Sequence, residues 1–244
     1  DMGCQPHQGA GYFPVADKKI QDFYTEKYGV IHPTKAGLKI PEIFDAAINK
    51  EVKALWIIGE DVVQTDPNSA HVVKAMNALD LLVVQEIFLS ETAKHADVVL
   101  PGTTFLEKDG TFTNTERRVQ RVNKAAEPLP GTKPDGLIVT EMMQKLGFNQ
   151  KLYDADEVLA EIADIVPFFK GITRERLGKL GLQWPVKEDG TDTKILHEKE
   201  FKLGKGRIKY FDWKESSEVE KNKKEFPLIL TTSRVLQHYN AATM

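Results

Sequence analysis

The chain has 244 residues, 41% hydrophobic and 28% charged, with 17 Gly and 12 Pro, which excludes collagen-like, low-complexity and wholly disordered classes. At roughly 150 residues per domain it can hold one large domain plus an appendage. Lys and Arg number 33 against 36 Asp and Glu, so the net charge of -3 removes the electrostatic basis for general nucleic-acid binding. The single cysteine, Cys4, can make neither an internal disulfide nor, by itself, a zinc or iron–sulfur site, and a reducing, cytoplasmic setting is expected. The longest apolar runs fall short of the ~18 residues that span a bilayer, so no transmembrane segment is expected.

Residues 1–36 open on Gly3, Pro6, Gly9, Gly11 and Pro14, a loop-forming composition, before Ile20, Phe23, Tyr24 and Tyr28 sketch a short amphipathic helix. Residues 40–50 predict a second helix with Pro41 in its first turn, and 54–58 (ALWII) a buried strand ended by Gly59. The pattern repeats: a helix over 67–79, a strand over 81–84, a helical turn at 93–96, and a third strand over 98–100 cut by Pro101. Strands apolar on both faces, alternating with helices, predict a parallel sheet with helices on both faces, an α/β fold. In such sheets ligands bind beyond the carboxyl ends of the strands. That draws attention to Gly59-Glu60-Asp61, Gln85-Glu86 and Pro101-Gly102-Thr103.

Residues 107–120 (EKDGTFTNTERRVQ) place Lys108, Asn114, Arg117 and Arg118 on a predicted loop after the third strand, where charge and amide donors could hold phosphates and a flat heterocycle. Helices are predicted over 134–146 and 158–166. Charge alternation marks 178–225 as an excursion or linker, with hairpin character at 204–211, and 226–232 reads as a last strand. The expected organisation is an α/β cofactor-binding domain over 1–177, a charged linker over 178–225, and the start of a further domain over 226–244. Taken singly, Asp61 and Asp66 read first as turn and N-cap residues, and Asp135, at a helix start, admits a cap reading beside any binding role.

Four blocks together resemble the catalytic subunits of the bis-molybdopterin guanine dinucleotide oxidoreductases, formate dehydrogenase alpha subunits above all: ALWIIGEDVVQTD at 54–66, LVVQEIFLSETAKHADVVLPGTTFLEKDG at 82–110, TNTERRV at 113–119 and TTSRVLQHYNAATM at 231–244. The resemblance implies a bis-molybdopterin guanine dinucleotide cofactor carrying Mo or W, formate as substrate, and electrons passed to a [4Fe–4S] cluster and an iron–sulfur electron-transfer subunit. It implies cofactor contacts at Gly59, Asp61, Thr65 (at the start of the helix that follows), Gln85, Lys108, Asp135, Arg234, His238 and Tyr239. Asp135 would accept the two N–H donors of a guanine edge. The family's cluster cysteines and its metal-ligating Cys or selenocysteine match nothing here, Cys4 included. Asp1-Met2 is no initiator sequence, and 226–244 resembles the beginning of the family's dinucleotide-binding β-barrel. The expectation is therefore an internal piece, or one polypeptide of a split enzyme, inactive without the remaining segments.

Other readings stay open at this point. A nitrate reductase or a complex I large-subunit relative shares the fold. A non-catalytic guanine-nucleotide module would be expected to carry a Gly-x-x-x-x-Gly-Lys-Ser/Thr phosphate loop, and none occurs.

Overall fold

A computed structural model describes residues 5–201, 203–214, 222–231 and 233. A small antiparallel pair, β1 (Gln8–Gly9) and β2 (Phe13–Pro14), leads into α1 (Lys18–Tyr28). Asp17 caps α1 by accepting from Lys19 N at 2.8 Å, and Gly29, left-handed at φ 69°, ends it. In α2 (Ile40–Ile48), Pro41 fills an early position that needs no amide donor, and Glu42 accepts from Lys39 N at 2.8 Å.

Then come β3 (Ala54–Ile58), the single turn α3 (Val62–Thr65), α4 (Ser69–Ala78), β4 (Leu81–Glu86) and β5 (Val98–Pro101). The three strands pair in parallel in the order β3-β4-β5, with Ile57 opposite Val84 and Val84 opposite Val99. Alternation sends Ile57, Leu82 and Val84 to one face, where Phe44 and Ala47 of α2 and Val72, Ala75 and Met76 of α4 complete a buried cluster. The expectation of helices on both faces holds on this side only. The opposite face, with Trp56 and Val83, leaves Ile58 47%, Leu81 41% and Val98 43% exposed.

After β5 the chain runs through β6 (Gly110–Thr113), β7 (Arg118–Val122), α5 (Asp135–Lys145), α6 (Ala155–Ile165), α7 (Arg174–Leu177) and β8 (Leu182–Gln183). The strands β6, β7 and β8 make a second, antiparallel sheet, and Val119 joins Tyr24, Leu159, Val166, Phe169, Ile172 and Leu177 in a second core. One sequence expectation is corrected here. Residues 110–122 form a hairpin rather than a loop, its turn closed by Asn114 Oδ1 accepting from Glu116 N at 2.9 Å and Arg118 N at 3.0 Å. The first unit also runs past residue 177 to Lys194, where a second begins at Ile195. The extension is tied down by β8 on β7 and by the Arg117 guanidinium, which donates to Trp184 O, to Thr193 O at 3.0 Å and to Lys194 O at 3.2 Å.

In the second unit, residues 204–211 form no hairpin and the described residues 226–231 no strand. Ile208 and Leu230 are fully or almost fully exposed, and a two-stranded ribbon without an apolar surface to lie on is marginal at best. Among the described residues no helix is long and apolar enough to cross a membrane.

The asymmetry of the parallel sheet makes a stability prediction. Leu82 is 1% exposed and its neighbour Leu81 41%. Leu82→Ala should cost about 2–5 kcal/mol, as for deletion of a core leucine, and Leu81→Ala about 1 kcal/mol or less. Urea unfolding of the two variants measures this, and equal losses would contradict the one-sided core.

Candidate functional site

Parallel pairing puts the carboxyl ends of β3, β4 and β5 side by side. Beyond β3, Gly59 takes the left-handed region at φ 62°, with its N–H donating to Gln85 O at 2.9 Å. A Cβ at Gly59 would meet nothing within 4 Å, so backbone conformation, not crowding, is what calls for glycine there. The turn delivers Asp61, whose two oxygens accept from Thr92 N at 2.9 Å, Thr92 Oγ1 at 2.6 Å, Gln64 Nε2 at 2.7 Å and Glu91 N at 3.3 Å. Four donors match the roughly four acceptor positions of a carboxylate. Burial pushes the Asp61 carboxyl up, and the Thr92, Glu91 and Gln64 hydrogen bonds outweigh it, so its pKa lies below the ordinary carboxylate value.

Thr65 ends α3 instead of opening the next helix, and its hydroxyl donates to Glu60 Oε1 at 2.6 Å. The cap of α4 is Asn68, left-handed at φ 61°, and not Asp66. Burial, with Glu60 nearby, raises the Asp66 carboxyl.

The second cluster lies beyond β4 and β5. Gln85, 0% exposed, donates from Nε2 to Asp135 Oδ1 at 2.8 Å. Lys108 Nζ donates to Asp135 Oδ2 and to Thr103 O, the latter at 3.0 Å. Asp135 is the first residue of α5, yet its side chain caps nothing; both oxygens point to Gln85 and Lys108. A Cβ on Gly102 would stand 2.9 Å from Asp135 Oδ1, so glycine is what lets this carboxylate lie against the strand end. A bridge from Gly102 to Lys133 sets the entry to α5 beside β5, and a Cβ on Gly136 would run into the Tyr153 ring on the helix's other side. Glu107 shapes the approach of Lys108 by accepting from Thr104 N at 2.9 Å and Leu129 N at 3.0 Å; the Thr104 bond is the main cause of its lowered pKa.

Of the residues singled out in the sequence, the structure thus joins Gln85, Lys108 and Asp135 directly, and puts Gly59, Asp61 and Thr65 at the neighbouring strand end. Asn114 and Arg117 have structural partners: Asn114 closes the hairpin turn and Arg117 anchors residues 184–194. Arg118 lies 3.5 Å from Glu116. Arg234, His238, Tyr239 and Cys4 lie outside the described residues. Sequence reasoning missed Thr92 as the fastener of Asp61, although it lies within the 82–110 block. Gly102 and Thr103 sit in a segment flagged by its place after a strand and by the 82–110 block, with no role given to either residue.

Whether these side chains fit a guanine nucleotide can be asked of the atoms themselves. A guanine edge offers adjacent N–H donors, and Asp135 presents two acceptor oxygens at a 39% exposed side chain, each with a lone pair beyond the one used. Gln85 Oε1 and Thr103 Oγ1 are buried beside it without a hydrogen-bond partner and are closed to a ligand, which leaves Asp135 as the acceptor. The exposed acceptor positions of Asp135 are thus of the kind that two adjacent N–H donors require.

Asp61 yields a pH-dependent prediction. Asn at this position offers one acceptor oxygen in place of two, so Asp61→Asn should cost about 1–3 kcal/mol at pH 7. Since the folded carboxyl titrates below its unfolded value of roughly 3.9, the contribution is complete above that value and disappears as pH falls through the folded pKa. Urea titrations of both proteins at pH 7 and at acid pH should show the gap closing; a gap that persists undiminished in acid would refute the charge dependence.

Comparison with known proteins bears on the family. The profile of the molybdopterin oxidoreductase family matches residues 21–145, just over half of the chain. The F420-dependent formate dehydrogenase subunit alpha of Methanocaldococcus jannaschii is 42% identical over 249 residues, covering 100% of this chain and 36% of that protein. The F420-dependent formate dehydrogenase 2 subunit alpha of Methanococcus maripaludis is 42% identical over 251 residues with the same coverage. The chain spans about a third of the length of these curated relatives. A solved structure, acetylene hydratase from Pelobacter acetylenicus, is similar over 64% of this chain and 22% of its own, at 24% identity and a TM-score of 0.47. The match of strands, strand-end loops and α5 to one profile gives the assignment: the chain belongs to the molybdopterin oxidoreductase family.

Proposed function

We propose that this chain is part of a formate dehydrogenase and supplies the cradle for one guanine nucleotide of a bis-molybdopterin guanine dinucleotide cofactor. The observation that carries the reading is Asp135, a carboxylate held at the common end of a parallel sheet by Gln85 and Lys108. The names of relatives 42% identical along the entire chain supply the substrate. When bound, the cofactor's metal supplies the redox chemistry, accepting two electrons as formate becomes carbon dioxide and a proton.

What this chain's own residues contribute is placement. Asp135 receives the donor edge of the base, Gly59 lets the backbone turn close to the ligand, and Asp61 holds the β3 and β4 loops together through Thr92. Arg234, His238 and Tyr239 are proposed to reach the pterins and the metal side, and residues 226–244 to begin the dinucleotide-binding β-barrel, with 195–225 as a charged connection. The metal ligand and the [4Fe–4S] cluster would come from the remaining segments of the enzyme, and an iron–sulfur subunit would take the electrons.

Asp135→Asn tests the reading in the complete enzyme. It replaces a charged double acceptor with a group that turns a donor toward a donor, at a residue whose side chain caps no helix amide. Charge-assisted bonds contribute about 1.5–3 kcal/mol, so cofactor retention should fall roughly tenfold or more, and formate-dependent dye reduction with it. A variant that keeps its full complement of metal and pterin would sink the nucleotide assignment of Asp135.

A further inference from the structure

The residues around Asp135 do not all have the access that a ligand contact requires. Gln85 lies on β4 with a side chain 0% exposed, so its amide cannot touch a bound molecule from solvent, and its Nε2 is committed to Asp135 Oδ1 at 2.8 Å. Lys108 is also tied at two points: its ammonium donates to Asp135 Oδ2 and to the carbonyl of Thr103, a residue only 1% exposed. One donor comes from a buried strand and the other from the segment after β5, and each takes a different carboxylate oxygen. Two hydrogen bonds on two oxygens fix both χ angles of a side chain with no other tether, and Gly102 fits against Oδ1 with no room for a Cβ.

We infer that Gln85 and Lys108 form a two-point clamp that sets the plane of the Asp135 carboxylate, acting on a bound base only through Asp135 and not as contacts to phosphate or pterin. Both are positioning residues. The clamp matters because a ligand edge with two neighbouring N–H donors is bidentate: both bonds are straight only when the carboxylate lies in the plane of the base. A freely rotating aspartate would lose rotamer entropy on binding; one already held loses little. Lys108 pairs with Asp135 and stays paired when a base docks, because each oxygen keeps a second lone pair for the ligand.

This inference rests on the nucleotide-cradle reading above, and the test separates the two. Guanosine, GDP and adenosine are titrated by NMR and calorimetry into the protein purified free of cofactor, as wild type, Lys108→Met, Asp135→Asn and the double variant. Wild-type protein that fails to prefer guanosine over adenosine rejects the cradle itself. Given that preference, the clamp predicts that Lys108→Met weakens guanosine and GDP alike, by about tenfold, and that the loss vanishes in the Asp135→Asn background. A loss confined to GDP would make Lys108 a phosphate contact, and a loss that persists beside Asp135→Asn, or no loss, would equally overturn the clamp. Thermal melts of each variant report folding. Should Lys108→Met not fold, Lys108→Gln, a shorter neutral donor, takes its place: equal loss for both ligands supports the clamp, and a GDP-only loss or none rejects it. Gln85→Glu, which turns an acceptor toward Asp135 at the same volume, should reproduce the equal loss.

Discussion

Parallel strands cannot be joined by tight turns, and that constraint organises the molecule. Each of β3, β4 and β5 must be re-entered from the same end after a crossover, so the three segments leaving their carboxyl ends are neighbours however far apart they lie in the chain. Gln85 and Asp135 are 50 residues apart and Asp61 and Thr92 31, yet each pair is hydrogen-bonded at that edge. The register, with Ile58 opposite Gln85 and Gln85 opposite Leu100, puts the buried amide in the middle strand, where it can serve a carboxylate arriving from α5. A one-residue slip of β4 would turn Gln85 into the helix-covered core and leave Asp135 without its buried partner.

The same edge shows a division of labour among acidic residues that look alike in sequence. Asp61 has all its acceptor positions filled by the protein and acts as a fastener between two loops. Asp135, with one protein donor on each oxygen, keeps capacity for a ligand. Glu107 spends its oxygens on backbone amides that shape the path to Lys108. Counting donors against lone pairs distinguishes these roles where residue type cannot.

That distinction also marks where the sequence was legible. Elements set by local periodicity, namely α2, α4, α5 and the three parallel strands, were readable within a few residues, since apolar spacing and the adjacent Gly and Pro act through nearest neighbours. The 110–122 hairpin was not, because its run of Thr, Asn and charged residues lacks an apolar alternation and its turn depends on Arg117 at φ 64°. Arg117 itself reads as a phosphate ligand until the three carbonyls it binds come from residues 67 to 77 positions away. Residues 178–194 are similar: they are polar and read as linker, and what ties them to the first unit is long-range pairing with β7.

The half-covered sheet has a colloidal consequence. Among the described residues β3 pairs only with β4, so its far edge presents unpaired amides and carbonyls along ALWII, a segment with no charge and no proline. Such an edge is a template for another strand, and on the uncovered face of the sheet Ile58, Leu81 and Val98 are each exposed. The charges that flank it, Lys53 before and Glu60 after, are the sort of gatekeepers that slow this pairing without abolishing it. Handled in isolation at high concentration, the chain is therefore prone to edge-to-edge association, and any added strand or helix that covers β3 would act first on its solubility.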